Sequence, residues 1–107
     1  MPISQPTFSP ADVTVIGATQ NKITNLVMTV SGTEYSHSLQ SNVKQLIIRS
    51  RGNGALQLAF TATESGTKYL TIPKGCSLFL GEIEFASSSL FLQSTSNNDV
   101  AEILELY

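Results

Sequence analysis

The sequence is poor in charged residues and contains one cysteine, one histidine and no tryptophan. Charged side chains make up 13% of its 107 residues, about half of the usual quarter, and the formal net charge is -2. The six basic residues are too few and too scattered for a nucleic-acid site, and no apolar run approaches the roughly 18 residues of a membrane-spanning helix. Cys76 alone forms no internal disulfide and no cysteine-built metal site, and we interpret it as a small buried apolar group. We therefore expect no nucleic-acid partner and no membrane partner.

Hydroxyl and amide side chains take the place of charges. Serine, threonine, asparagine and glutamine account for 37 of the 107 residues, and hydrophobic residues for 41%, which is enough for one core. We predict a single domain over residues 12–107. The first residues lack the basic start and the apolar segment of a signal peptide, so we expect synthesis in a reducing cytoplasm.

Residues 1–11 contain three of the four prolines. Proline fixes φ and has no N–H to donate, so this stretch is predicted to be an extended, irregular N-terminal arm. Two interpretations of the arm are open. It is either a disordered tail, as termini often are, or an arm that lies on a neighbouring subunit with Ile3 and Phe8 as apolar anchors.

Short alternating segments fill the rest of the chain. Apolar and polar residues alternate with a period of two, most regularly in residues 56–63, where Phe60 and Ala62 are predicted to face inward. Turn residues separate these segments at intervals of roughly 8–12 residues, and we expect hairpins at residues 31–33 and 52–54. The pattern predicts an all-β fold, a single-domain antiparallel β-sandwich of jelly-roll type with about eight short strands and the extended N-terminal arm.

The last segment, residues 100–107, fits both a helix and a strand. Val100, Ile103 and Leu104 lie at helical spacing, whereas an alternation that starts at Val100 is typical of a strand. Eight residues are marginal for a helix and every earlier segment has strand character, so we predict a strand.

Few residues offer catalytic chemistry. His37 is the single histidine, and a catalytic triad would have to combine it with Asp12 or Asp99, without the nucleophile elbow that often presents such a serine. We interpret His37 as a strand histidine that makes one structural hydrogen bond. Glu82 and Glu84 are predicted to share one strand face, where they are more typical of solvated charges than of an acid–base pair. The sequence therefore predicts no enzyme, and no catalytic, cofactor-binding or metal site.

Apolar residues on both faces of several strands are the most informative feature. A two-layer sandwich buries one face of each strand, so apolar residues on the second face need another cover, for which we favour a neighbouring copy over a loop of the same chain. We expect a homo-oligomer and favour a trimer. Two arginines on one strand face suit a carboxylate of a partner protein. The predicted partner interface consists of Ile3, Phe8, Ile47, Arg49, Arg51, Leu78, Leu80 and Phe91.

Six stretches from residue 35 onward resemble, in their order along the chain, small virion proteins of tailed bacteriophages. They are YSHSL (35–39), KQLIIRSRG (44–52), LQLAF (56–60), YLTIPKG (69–75), LFLQS (90–94) and VAEILE (100–105). The resemblance covers about residues 33–107, and the arm lies outside it.

The resemblance implies a structural protein of the virion, on the capsid exterior or on the tail, synthesised in the cytoplasm of a bacterial host. One implied role is a capsid decoration or cement protein that binds further copies of itself and the major capsid protein. Another is a tail, adaptor or fibre-associated subunit that binds tail proteins. A carbohydrate-binding β-sandwich module is a more remote alternative, because such modules usually display aromatic platforms and this chain has no tryptophan.

Overall fold

The structure is a computed structural model, and it describes residues 18–81 and 89–107. Those residues contain eight β-strands and no helix, so the final segment is a strand, as predicted. The strands are β1 (Asn21–Met28), β2 (Tyr35–Ser38), β3 (Gln45–Ser50), β4 (Leu56–Ala59), β5 (Leu70–Ile72), β6 (Ser77–Leu80), β7 (Ser89–Ser94) and β8 (Asp99–Leu106).

Each strand pairs with its mirror image in the chain order. β1 pairs with β8, β2 with β7, β3 with β6 and β4 with β5, all antiparallel. Pairings of β3 with β8 and of β4 with β7 complete a first sheet in the order β1–β8–β3–β6 and a second in the order β2–β7–β4–β5. This is the connectivity of a jelly roll, in which one long antiparallel hairpin wraps into two sheets. The predicted fold class is confirmed.

Two predicted hairpins are wrong. Residues 31–33 connect β1 to β2 and residues 52–54 connect β3 to β4, but in each case the two strands lie in different sheets. The turn chemistry is as expected, because Gly32 and Gly52 adopt positive φ values of 71° and 117°. The strands on either side of each turn bury their apolar faces against the same core from opposite sides. A glycine-containing turn therefore indicates where the chain reverses, but it does not determine which sheet the next strand joins.

The core lies between the two sheets and takes side chains from both. Leu46 and Ile48 of β3 are fully buried there, as are Leu90 and Leu92 of β7. Ile47, between Leu46 and Ile48, points outward, and so does Phe91, between Leu90 and Leu92. The predicted inner and outer faces of β3 and β7 are thus confirmed.

The predicted alternation after β4 is wrong. The strand ends at Ala59, and both Phe60 and Ala62 are exposed rather than inward-facing. The chain reverses immediately afterwards, with Thr63 at a positive φ of 70° and a hydrogen bond from Glu64 N–H to the Thr61 carbonyl. Local turn geometry here overrides the period of two.

The predicted faces of β6 are also wrong. Leu78 and Leu80, predicted to lie on the second face, pack against the core, whereas Phe79 is exposed. Phe79 pairs with Ile47, and partners in a ladder place their side chains on the same face of the sheet. Because Ile47 faces outward, its partner must do so too.

Several predictions fall on residues outside the described ranges. They are the arm over residues 1–11 with Ile3 and Phe8, the candidate triad partner Asp12, and the pair Glu82 and Glu84.

Candidate interaction surface

One apolar side chain from each strand of the first sheet contributes to a continuous row on the outer face of that sheet. Ile23 of β1 pairs with Leu104 of β8, and Leu104 pairs with Ile47 of β3. Ile47 in turn pairs with Phe79 of β6. Ladder partners have Cβ atoms roughly 5 Å apart, so the four side chains adjoin one another across the full width of the sheet. We call these four residues the apolar row.

The apolar row is accessible to solvent. Ile23 is 68% exposed and Phe79 is 52% exposed, while Ile47 and Leu104 are half-buried. Val27, further along β1 on the same face, is 54% exposed. Large contiguous apolar patches on a soluble protein commonly mark an interaction site, whereas isolated apolar residues do not.

A shallow groove runs beside the apolar row. It has a volume of about 270 Å3, and three members of the row line it. Polar residues that lie two positions away on the same strands, and so on the same face, also line it. In the ladders Asn25 pairs with Glu102, and Glu102 pairs with Arg49. The surface of the groove is therefore mainly apolar, with polar residues along one side. The apolar residues that line it are Ile23, Ile47, Ile103 and Leu104, and the polar ones are Asn25, Arg49 and Glu102.

Two arginines share the single carboxylate at this groove. Arg51 donates from Nη2 and Nε to Glu102 Oε2 over 3.1 and 3.2 Å, and Arg49 Nε lies 3.8 Å from Glu102 Oε1. Such exposed pairs contribute little to folding stability. Because two arginines face one glutamate, one positive charge is in excess beside the apolar row. In chemical terms, the surface suits an apolar side chain followed closely by a carboxylate.

The outer face of the second sheet is different in character. Phe91 of β7 is half-buried there, between Ser36 of β2 and Ala59 of β4. The residues on both sides of it along β7 are buried in the core, so its side chain points away from the first sheet. Phe91 and Ile47, which the sequence analysis assigned to one interface, therefore lie on opposite outer faces of the sandwich.

Glu34 holds the β4–β5 connection against this second face. Its Oε1 accepts hydrogen bonds from the N–H and the hydroxyl of Ser65 at 3.1 and 2.5 Å, and its Oε2 accepts one from Thr63 N–H at 2.9 Å. The Ser65 hydroxyl also accepts a hydrogen bond from Gln93 Nε2 on β7, at 2.9 Å. The hydrogen bonds from the Ser65 side chain and the Thr63 backbone hold the pKa of Glu34 below its ordinary value of 4.5.

Inside the sandwich, His37 and Glu105 join the two sheets. His37 Nε2 of β2 lies 3.0 Å from Glu105 Oε2 of β8, and both side chains are buried. The other carboxylate oxygen accepts a hydrogen bond from Gln40 N–H at 2.7 Å. His37 thus makes the structural hydrogen bond expected of it, with a partner that the sequence did not indicate.

Asp99, one candidate triad partner of His37, lies at the other end of β8. Its carboxylate accepts hydrogen bonds from the Ser94 hydroxyl at 2.5 Å and from Val100 N–H at 2.8 Å. Glu105 lies six positions further along β8, a distance of roughly 20 Å at the usual rise of a strand. The structure therefore does not bring His37 and Asp99 together.

The remaining reactive groups are dispersed. Cys76, interpreted from the sequence as buried, is exposed immediately before β6. Within residues 18–81 and 89–107, no three His, Cys, Asp or Glu side chains lie together in a way that could hold a metal ion. In the same part of the chain, no helix is long and apolar enough to cross a membrane.

Only part of this surface was predicted from the sequence. Ile47 and Arg49 line the groove and Arg51 lies beside it, whereas Leu78 and Leu80 belong to the core. The other three members of the apolar row, Ile23, Leu104 and Phe79, were not predicted as interface residues. A period of two is visible around each of them, but only the strand register shows that they adjoin Ile47.

Comparison of the chain with protein-family models, with curated proteins and with solved structures finds no match.

Proposed function

We propose that the protein is a non-enzymatic structural subunit of a bacteriophage virion, namely a decoration protein that binds the outside of the capsid and further copies of itself. The observation that carries the proposal is the apolar row, which crosses all four strands of the first sheet and is open to solvent at Ile23 and Phe79. An exposed apolar strip of this extent needs a protein cover.

The rigidity of the body supports this role. Every strand of the jelly roll except β5 pairs with a strand that is not its neighbour in the sequence, and the inter-sheet contact between His37 and Glu105 adds a polar link across the core. The described chain contains one cysteine and achieves this without a disulfide. A subunit that resists internal pressure in a particle benefits from a body that does not open locally.

The jelly-roll fold is compatible with more than one function. Jelly rolls occur in viral capsid domains and in lectins alike. A sugar site generally presents aromatic rings to the ligand, whereas the groove on the first sheet is lined by aliphatic and polar residues and by no aromatic one. The chemistry of the groove therefore favours a protein partner, in agreement with the resemblance of the strands to virion proteins.

Copy number in purified particles tests the proposal. We expect the protein to be present in numbers that scale with the major capsid protein, as measured by quantitative mass spectrometry. Particles stripped of it should release DNA at a lower temperature and survive osmotic shock less well. A count of only a few copies per particle would assign the protein to the tail, and its absence from particles would overturn the virion role altogether.

A further inference from the structure

We infer that the groove beside the apolar row is occupied by the N-terminal segment, residues 1–17, of a neighbouring copy, with Phe8 on the apolar side and Asp12 beside Arg51. This inference rests on the proposed role as a self-associating subunit and names the partner of its surface. Four observations carry it: the chemistry of the segment, the spacing of its residues, the direction of the chain as it enters β1, and the size of the sheet face.

The chemistry of the segment complements that of the groove. Residues 1–17 contain one charged side chain, the carboxylate of Asp12, and the groove has one positive charge in excess at Arg49 and Arg51. Phe8 supplies a large apolar side chain, which is what the side formed by Ile23 and Ile47 can accept. Three prolines favour an extended backbone and reduce the conformational entropy lost on docking.

The spacing also agrees. Phe8 and Asp12 are four residues apart, and so are Ile47, which lines the groove, and Arg51, which lies beside it on Glu102. Extended chains rise by roughly 3.1 to 3.4 Å per residue, so both pairs span about 13 Å. An extended segment that runs alongside β3 therefore brings Phe8 over Ile47 and Asp12 to Arg51 at the same time.

The chain direction favours a neighbour over the segment's own body. The N–H groups of Thr19 and Gln20 donate to the Tyr107 carbonyl at 2.8 and 2.7 Å, and Tyr107 N–H donates to the Gln20 carbonyl at 2.9 Å. These bonds continue the β1–β8 pairing beyond the strand ends, so residues 19 and 20 run on past the end of β8, away from the groove. Covering its own groove would require a reversal directly before Ala18. Seventeen extended residues reach up to about 55 Å, ample to lie on an adjacent body.

The size of the sheet argues against face-to-face packing of two copies as the sole contact. Four strands about 4.8 Å apart and roughly 20 Å long present a face near 400 Å2, about half of the usual 800 Å2 per partner in a stable complex. An arm bound in each groove adds area to the contact. Once one arm is bound, the second docks as an effectively intramolecular step.

Cysteine cross-linking in the full chain tests the inference. Phe8→Cys is combined with Ile47→Cys in a Cys76→Ser background, and equal amounts of 14N-labelled and 15N-labelled protein are mixed before mild oxidation. We expect a disulfide between residues 8 and 47, with about half of the linked peptides combining one labelled and one unlabelled partner, as random exchange requires. The matched control is Phe8→Cys with Leu70→Cys, because Leu70 is 52% exposed but lies on the second sheet.

Links found only within one chain would show that the segment covers its own body, and links no more frequent than in the Leu70 control would show that the groove has another occupant. Either result overturns the inference. The copy number in particles is measured separately, so a particle rich in the protein but without this link would leave the proposed function standing.

Charge reversal supplies an independent measurement on the same full chain. We expect Asp12→Lys to raise the dissociation constant for self-association roughly tenfold in sedimentation experiments, and Arg51→Asp in the same chain to recover most of that loss. Circular dichroism confirms that each variant is folded. An unchanged constant for Asp12→Lys would contradict the pairing with Arg51.

Discussion

At the scale of single residues, buried or shielded polar contacts decide how the two sheets and their connections are held. His37 and Glu105 form the clearest example, because each would be costly to bury without the other. Alternation predicts that His37 shares a strand face with Tyr35 and Leu39, but it cannot name a partner 68 positions away. The partner depends on which two strands face each other across the core, and that is a property of the whole fold.

Glu34 gives a prediction about pH. Its pKa is lowered in the folded protein, so the carboxylate hydrogen bonds stabilise the fold above the ordinary value of 4.5 and are lost as the pH falls through the lower folded-state pKa. We expect Glu34→Gln to reduce the free energy of unfolding by about 1 kcal/mol at pH 7, and the difference from wild type to vanish in acid.

Urea unfolding between pH 7 and pH 2.5 measures this difference. Glu64→Gln is the control, since the Glu64 carboxylate lies 3.9 Å from Lys68 Nζ in an exposed pair and is expected to change stability by less than about 0.5 kcal/mol. A gap between wild type and Glu34→Gln that stays constant or widens in acid would contradict the assignment of the lowered pKa to the Ser65 and Thr63 contacts.

At the scale of the elements, periodicity predicts strands well and faces less well. β3 and β7 have apolar residues on one clear inner face, and their orientation follows from the sequence. β6 carries consecutive apolar residues, Leu78, Phe79 and Leu80, so alternation fits either orientation. The pairing of β6 with β3 decides the matter, because it fixes Phe79 to the face of Ile47. Register is set by partners that a single strand does not reveal.

The orientation of β6 leads to a stability prediction. Leu78→Ala should lower the free energy of unfolding by about 2 kcal/mol, because it removes contacts with the core. Phe79→Ala should change it by less than about 0.5 kcal/mol in dilute, dissociated protein, because the ring is 52% exposed. Chemical denaturation at low protein concentration separates the two, and a larger loss for Phe79→Ala would show that the sequence-based orientation was right after all.

At the scale of the whole molecule, the fold class follows from the sequence but the arrangement of the strands does not. Eight short strands with regular turns indicate a β-sandwich, and the structure confirms it. The mirror-image pairing joins β1 to β8 across almost the entire described chain, and neither local alternation nor turn residues encode such a contact. The apolar row exists only through this pairing and that of β3 with its two neighbours. For that reason Ile47 was predicted from the sequence as an interface residue, but Ile23, Leu104 and Phe79 were not.

The β1–β8 pairing is testable with an engineered disulfide. Val27 and Val100 are ladder partners on the outer face of the first sheet. Opposed residues of antiparallel strands have Cα atoms roughly 4.5 to 5.5 Å apart, which a disulfide can span. In a Cys76→Ser background, Val27→Cys with Val100→Cys should therefore oxidise readily. Because the bond closes most of the chain into one loop, it should raise the free energy of unfolding by up to about 4 kcal/mol.

The informative control is a pair that a β1–β2 hairpin would make ladder partners, because a two-residue turn at Ser31 and Gly32 pairs Val27 with Ser36. Val27→Cys with Ser36→Cys places one thiol on each outer face of the sandwich, and we expect no intrachain disulfide. Mass spectrometry counts free thiols, and urea unfolding with and without reductant reports the gain in stability. A disulfide between residues 27 and 36, in place of one between residues 27 and 100, would show a β1–β2 hairpin and contradict the jelly roll. It would also contradict the apolar row, because Ile23 and Leu104 adjoin only when β1 lies beside β8.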